Sequence, residues 1–277
     1  MLQCIPGLSW IPAQDTYFRA SPLVLINGLA EQSESWYRNR EVLQRCFDVH
    51  APGVLVYDGP IVQQRLESGQ PITVGFFADR LAEYLDKFIQ TPPYHLVASS
   101  LGAQIAVEYA CQHPEKIDRL VLLCPSGMGS EERLPVMEGA RHKDYRGLVE
   151  STFYDTRHAS PAIMRYYEQK FQSKAWRKAL FETVRGTKSH SVRDRLASID
   201  RPVLVICGRE DQIVDTRVVQ QAVAPHANFQ CVTISQCGHA PQLEQPQIVN
   251  RLIVSFLQGK ESLEMGDLAG DSAEAGD

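Results

Sequence analysis

The sequence predicts an α/β domain: a mainly parallel sheet covered by helices on both faces and interrupted once by a helical insertion. Three observations predict it. Short apolar runs rich in Val, Ile and Leu recur along the chain, segments with helical spacing lie between them, and one long stretch carries helical patterns without a strand. Runs that are apolar at consecutive positions suit strands buried on both faces, and parallel neighbours need crossovers that cover those faces.

The first run, Leu23 to Ile26, leads into Asn27-Gly28-Leu29, a polar loop and an expected helix. Phe77, Leu81, Leu85 and Phe88 recur at helical spacing. The strand around Leu96 and Val97 runs into A-S-S-L-G and then directly into a helix carrying Ile105 and Tyr109, after which Leu120 to Leu123 form another strand. From Ser126 to Ala197 no buried strand is expected, while KDYRGLVESTFYD, SPAIMRYYEQKF and SKAWRKALFETV have the pattern of amphipathic helices. Strands return at Val203 to Ile206 and Val232 to Ile234, and Ile248, Leu252 and Phe256 mark a closing helix. This divides the chain into a core of residues 1–125 and 198–260, a helical cap of residues 126–197, and a tail of residues 261–277. The tail carries acids and Gly but no base and no aromatic, so disorder is expected there.

The bulk properties narrow the function. With 277 residues, 44% hydrophobic and 22% charged, the chain has the composition of a globular protein with a sizeable core. A net charge of -5 provides no basic field for nucleic acid. No apolar run approaches the roughly 20 residues of a membrane span, and the opening MLQCIPGLSWIPAQD lacks a secretory pattern, so a soluble cytoplasmic protein is expected. Seven cysteines without a C-x-x-C pair argue against a disulfide framework or a zinc cluster. Cys237 lies near His239, but nothing around it resembles a thiolate-stabilising helix start.

The segment YHLVASSLGAQIAVEYA carries the strongest chemical signal. A nucleophile on a tight strand-to-helix turn needs small residues two positions to either side, because strand and helix approach closely there. Ala98 and Gly102 meet this for Ser100, whereas Ser99 would have Val97 and Leu101 in those places. The following helix starts with unpaired N–H groups, of which that of Leu101 is the natural donor to an oxyanion. Gly28 allows a sharp turn that would bring the N–H of Leu29 to the same point. Downstream, RPVLVICGREDQIVD sets two acids, Glu210 and Asp211, after a strand, and FQCVTISQCGHAPQLEQP sets His239 in a loop after the next one. A carboxylate at such a strand end can orient an imidazole that in turn activates a serine.

Ser, then Asp, then His, each after its own strand, is the chain order of the α/β-hydrolase triad. In LVLINGLAEQSESW, LVASSLGAQIAVEYA, PVLVICGREDQIVD and GHAPQLEQPQIVNRLIVSFL, the chain resembles the α/β-hydrolase superfamily from about Pro22 to Phe256. That resemblance implies a G-x-x-D segment falling on Gly208 and Asp211, which favours Asp211 over Glu210, and a cap after CPSGMG. Two departures stand out: the family's common His-Gly is Asn27-Gly28 here, and APGVLVYDGP replaces the usual Gly-rich turn.

The chemistry these residues imply is hydrolysis of an ester or thioester, with Ser100 as nucleophile, His239 as base, Asp211 as orienting acid and the N–H groups of Leu29 and Leu101 as oxyanion donors. It requires no metal and no organic cofactor. Carbon–carbon bond cleavage of ring-fission products, acyl transfer and noncatalytic ligand binding are the alternatives. The expected partner is a small molecule with an apolar acyl or aromatic part, since the cap holds Tyr145, Phe153, Tyr154, Tyr166, Tyr167, Phe171, Trp176 and Phe181. Most of these are expected to pack rather than to touch substrate. The cap's many Lys and Arg residues are read either as solvated helix faces or as partners of a substrate carboxylate. The sequence does not set the oligomeric state.

Overall fold

The computed structural model describes residues 20–55, 59–89, 91–129 and 132–260. The expected disordered tail, 261–277, lies outside them, as does the start of the chain.

Six parallel strands form one sheet in the order β2-β1-β3-β4-β5-β6. They are β1 (Pro22–Ile26), β2 (Asp48–His50), β3 (Tyr94–Ser99), β4 (Ile117–Leu123), β5 (Val203–Gly208) and β6 (Phe229–Ile234). The registers Ile26↔Ala98, Leu123↔Ile206 and Gly208↔Ile234 bring the C-terminal ends of β1, β3, β4, β5 and β6 to one edge. Alternate residues of each strand go to opposite cores, as a pleated strand requires. Val24, Ile26, Leu96, Leu120 and Val205 pack on one face, and Leu23, Leu25, Val97, Val121 and Leu204 on the other. Both faces are covered, which is why the strand sequences read as unbroken apolar runs instead of alternating ones.

Helices α1 (Arg40–Leu43), α2 (Pro60–Glu67), α3 (Val74–Phe88) and α4 (Leu101–Gln112) lie in the first half. In α3 the Thr73 side chain caps the first turn by accepting from Phe76 N at 3.1 Å, and Val74, Phe77, Leu81 and Leu85 form the buried stripe. Helix α4 is buried all round from Leu101 to Ala110, consistent with its central place against β3 and α3. On the opposite face, α11 (Pro246–Leu257) presses Val249, Leu252, Ile253 and Phe256 onto the sheet.

Between β4 and β5 the described residues form helices alone: α5 (Pro135–His142), α6 (Arg146–Thr152), α7 (Pro161–Gln172) and α8 (Lys174–Thr187), with short 3-10 turns. Ser160 and Ser173 cap α7 and α8 by accepting from Ile163 N and Trp176 N. Helix α9 (Thr216–Val223) follows β5, and α10 (Pro241–Glu244) follows β6. Among the described residues no helix is long and apolar enough to cross a membrane.

The structure adds what the sequence pattern did not signal. Strand β2 is a three-residue, partly exposed edge strand, too short to give an apolar run. The helix expected after the Asn27-Gly28-Leu29 loop is a 3-10 turn, Ser33–Arg38, followed by the single turn of α1. In KDYRGLVESTFYD only seven residues are helical, and Phe153 leaves in extended conformation.

Candidate active site

The chain passes from β1 outward to the edge strand β2 and then returns to the other side of β1 as β3. Where neighbouring crossovers diverge in this way, a crevice opens beyond the carboxyl ends of the strands. Asn27, Gly28 and Leu29 follow β1 there, and Ser100 follows β3.

Ser100 has φ 50 and ψ -119, a strained backbone for a residue with a side chain. It is held by Ser100 N donating to Leu123 O at 2.9 Å and Ala103 N donating to Ser100 O at 2.9 Å. The turn is as tight as the sequence spacing demands. A Cβ on Gly102 would lie 2.5 Å from Asn27 O and 2.8 Å from Ile26 O, and one on Gly28 would lie 3.0 Å from Ser100 Cβ. Ser99 is sealed in the core, whereas Ser100 lines a cavity. That difference separates the two serines.

The buried amide of Asn27, which stands where the resemblance led us to expect His, ties this loop together. Its Nδ2 donates to Gly28 O at 3.2 Å and to Glu31 O at 3.1 Å.

Asp211 and His239 meet. His239 Nδ1 is 2.8 Å from Asp211 Oδ2, with the two side chains 6% and 1% exposed. The other carboxylate oxygen, Oδ1, accepts from Ile213 N at 2.8 Å and Val214 N at 3.0 Å, which fixes the carboxylate in its loop. The neighbouring acid, Glu210, turns away and accepts from Cys237 N at 3.0 Å. Burial works to raise the Asp211 carboxyl, but the imidazole and the two backbone donors outweigh it and hold it below the usual carboxylate range. For His239 burial favours the neutral ring, yet Asp211, with Glu31 and Glu132 adding to it, brings the imidazole above its ordinary value.

Ser100, Leu101, Leu29 and His239 all line one cavity of about 800 Å³, within the size range of small-molecule sites. Among the described residues the Ser100 hydroxyl makes no hydrogen bond to His239; serine and imidazole share the cavity, and the imidazole is engaged by Asp211 on its Nδ1 side. Met128, Leu134, Val136, Leu148 and Val184 supply apolar wall. Of the eight aromatics of the helical stretch only Tyr167 reaches the cavity, while Phe153, Phe171 and Trp176 fill the core. Arg133, Lys188 and Arg193 are the wall's permanent cations.

Cys124, Asp211 and His239 place one possible ligand atom each within 4.8 Å of one another. The atoms of the acid and the imidazole are already joined, and burial pushes the Cys124 thiol well upward, so the set fits a hydrogen-bonded pair beside a neutral thiol. Cys237 is fully buried and its thiol is likewise pushed up by burial, which fits the expectation that it is no nucleophile.

Residues 23–252 match the sequence model of the Alpha/beta hydrolase family. The chain belongs to that family. Among alpha/beta hydrolases it is similar to the human monoacylglycerol lipase ABHD6, at 27% identity over 184 residues, 60% of this chain and 55% of that protein. It is also similar to the 2-hydroxy-6-oxo-6-phenylhexa-2,4-dienoate hydrolase of Comamonas testosteroni, at 26% identity over 178 residues, 59% of this chain and 62% of that enzyme. The chain thus spans less than two thirds of the length of these curated relatives. The carboxylesterase CesB (YbfK) from Bacillus subtilis has the same fold, with a TM-score of 0.74 at 21% identity over 87% of this chain and 84% of the other.

Three acids of this alpha/beta hydrolase carry contacts that sequence reasoning missed. Glu31 and Glu132 line the cavity near His239, their carboxylates accepting from the backbone N–H of Gly28 and Gly127. Burial raises both. Glu244 Oε1 accepts from Gly238 N at 2.7 Å, and its Oε2 accepts from Tyr154 N at 2.8 Å and Asp155 N at 3.2 Å. Glu31 and Glu244 stand in the very segments that carry the resemblance, but an acid in a polar loop or a first helical turn has a bland explanation, and no spacing rule separates it from its neighbours.

Proposed function

We propose that this chain is a serine hydrolase that cleaves a carboxylic ester or thioester through an acyl-enzyme on Ser100. One observation carries the reading: a serine on a strained strand-to-helix turn opens into the same cavity as a histidine whose Nδ1 is held by a buried, ionised aspartate. Similarity to a monoacylglycerol lipase supports the ester class.

With substrate in the cavity, Ser100 Oγ attacks the carbonyl carbon and its proton passes to His239 Nε2. Asp211 keeps the other proton on Nδ1 and stabilises the imidazolium that forms. The Ser100–His239 hydrogen bond tightens in that complex, as such bonds commonly do once substrate is bound. The backbone N–H groups of Leu29 and Leu101, which line the cavity with Ser100, receive the carbonyl oxygen as it gains charge. His239 then gives its proton to the leaving alcohol or thiol, and later activates water to release the acid. The apolar wall from Met128 to Val184 suits an apolar acyl part.

A second reading, cleavage of a carbon–carbon bond in a ring-fission product, is favoured by the similarity to the Comamonas testosteroni hydrolase. It uses the same three side chains.

The test is intact-mass labelling with a fluorophosphonate on wild type, Ser99→Ala and Ser100→Ala, paired with turnover of short and long p-nitrophenyl esters and of a phenyl-substituted dienoate. Labelling and ester turnover lost in Ser100→Ala alone support the proposal. Turnover of the dienoate without the esters selects the second reading, and a wild type that neither labels nor turns over leaves a noncatalytic binding protein.

A further inference from the structure

The Asn27-Gly28-Leu29 loop does not end at the cavity floor; it folds the side chain of Glu31 back over Gly28. Glu31 Oε2 accepts from Gly28 N at 3.2 Å and from Ser35 Oγ at 3.3 Å. Both of these bonds fall on the same oxygen. The point where a Cβ on Gly28 would stand is 3.2 Å from Glu31 Oε1 and 3.0 Å from Ser100 Cβ. Glu31 Oε1 and Ser100 Cβ therefore border the same methyl-sized space over Gly28, and Glu31, Ser100, Leu29 and Leu101 line one cavity.

A carboxyl in this place has two opposite effects. Ionised, it sets a full negative charge beside the position where the attacked carbonyl becomes an oxyanion, and it opposes that charge. Neutral, with Oε2 as the acceptor of Gly28 N and Ser35 Oγ, it carries its proton on Oε1 and donates toward that same position. We infer that Glu31 is a further catalytic residue of the serine hydrolase proposed above, a neutral carboxyl that donates a hydrogen bond to the substrate's carbonyl oxygen and that blocks the reaction when it ionises. No covalent bond to Glu31 forms or breaks, and its proton stays with it through the cycle.

The surroundings agree with this. Burial raises the Glu31 carboxyl, and its bonds to Gly28 and Ser35 and the imidazole of His239 only partly offset that. From the loop after β6 it faces His239, itself paired with Asp211. The other ionisable groups of the cavity wall are Glu132 and Arg133 from the loop after β4, Tyr167 from α7, and Lys188, His190, Arg193 and Asp194 from the return to β5. Because Glu31 and His239 interact, the two limbs of a rate profile belong to the pair and not to either group alone. The reactive form needs a neutral imidazole and a neutral carboxyl, which gives a rate that rises and then falls as pH increases.

The experiment is kcat/KM for p-nitrophenyl butyrate from pH 5 to 10, on wild type, Glu31→Gln and Glu31→Ala. It is run beside fluorophosphonate labelling of each protein and a melting curve at each pH. Glutamine keeps an acceptor for Gly28 N and Ser35 Oγ and supplies a donor that cannot ionise. The expected result is a bell for wild type, loss of the alkaline limb in Glu31→Gln with its acid limb kept, and in Glu31→Ala a rate about tenfold below that of Glu31→Gln at every pH. A wild type with no alkaline limb overturns the inference, as does a Glu31→Gln protein that keeps the limb; in both cases Ser100 still labels and the serine-hydrolase reading stands. Absence of labelling in wild type removes that reading, and this inference with it.

Discussion

The cavity walls that come from the sheet and those that come from the stretch between β4 and β5 are held by different means. Ser100, Asp211 and His239 stand on loops leaving β3, β5 and β6, and each is fixed by backbone bonds or by a buried partner. Val136, Leu148, Tyr167 and Val184 stand on short amphipathic helices, of which α7 and α8 are joined by aromatic packing of Phe171 on Trp176. The two regions meet at a few defined seams. At one, His239 N donates to Thr152 O at 2.8 Å while Glu244 bridges Gly238 to Tyr154 and Asp155. At another, the buried carboxylate of Glu108 on α4 faces Arg195 at 3.2 Å and His190 at 3.4 Å. On the function proposed above, chemistry belongs to the first region and substrate choice to the second, and the first seam runs through the loop that carries His239.

The sharpest way to break this comparison is at the nucleophile. Ser100→Ala is expected to lower ester turnover by about 10⁵-fold or more with little change in melting temperature, since the triad acts as a unit. Steady-state rates and a thermal melt check it. Asp211→Asn is expected to cost roughly 10³- to 10⁴-fold in kcat. It also removes the strongest influence raising His239, so burial is left to favour the neutral ring. The acid limb of the rate profile, which in wild type climbs as pH rises through the elevated histidine value, then moves to lower pH. A limb that stays in place would mean that a different carboxyl orients the imidazole.

The next effects compare one substitution in the two regions. A Cβ on Gly208 would lie 2.0 Å from Gly238 O, and a Cβ on Gly186 of α8 would lie 1.9 Å from Ile72 O. Gly208→Ala displaces the loops that carry Asp211 and His239, so we expect both a stability loss of about 1–3 kcal/mol and a large fall in fluorophosphonate labelling rate. Gly186→Ala is expected to cost a similar stability but to leave labelling within a few fold, with the change in KM instead. Urea unfolding beside labelling kinetics separates the two, and equal losses of labelling would show that the two regions do not divide in this way. Smallest is Tyr167→Ala, expected to shift the preference between short and long acyl esters by several fold while leaving the labelling rate unchanged.

How much was legible follows the same division. The central strands were readable because burial on both faces makes them apolar at every position; Ser100, Asp211 and His239 were singled out because each follows a strand, with Gly102 two residues past Ser100 as a tight turn requires and Gly208 three before Asp211 as the family resemblance implies. The edge strand β2 left no trace, since a three-residue ladder needs only backbone. Helix α5, opened by Pro135 and bearing Gly139 against Phe171, was hidden for a related reason: its buried face is Val136, Gly139 and Ala140, too small to mark a stripe. Glu31 and Glu244 were out of reach for another reason. What they do depends on which backbone N–H groups lie within hydrogen-bond distance in space, and those belong in part to residues far away in the chain.

The sheet order has a consequence for how the protein comes into being. Ser100 is in the middle strands, but its base arrives on the loop after β6, the last strand and an edge of the sheet. During synthesis the first four strands and the helical stretch leave the ribosome well before His239 does, at about 5–20 residues per second. In the folded protein β6 pairs with β5, and α11 covers the opposite face. On the proposed mechanism, a chain that stops short of His239 holds the nucleophile without its base, and a pulse of fluorophosphonate given during refolding would time the step that brings the two together.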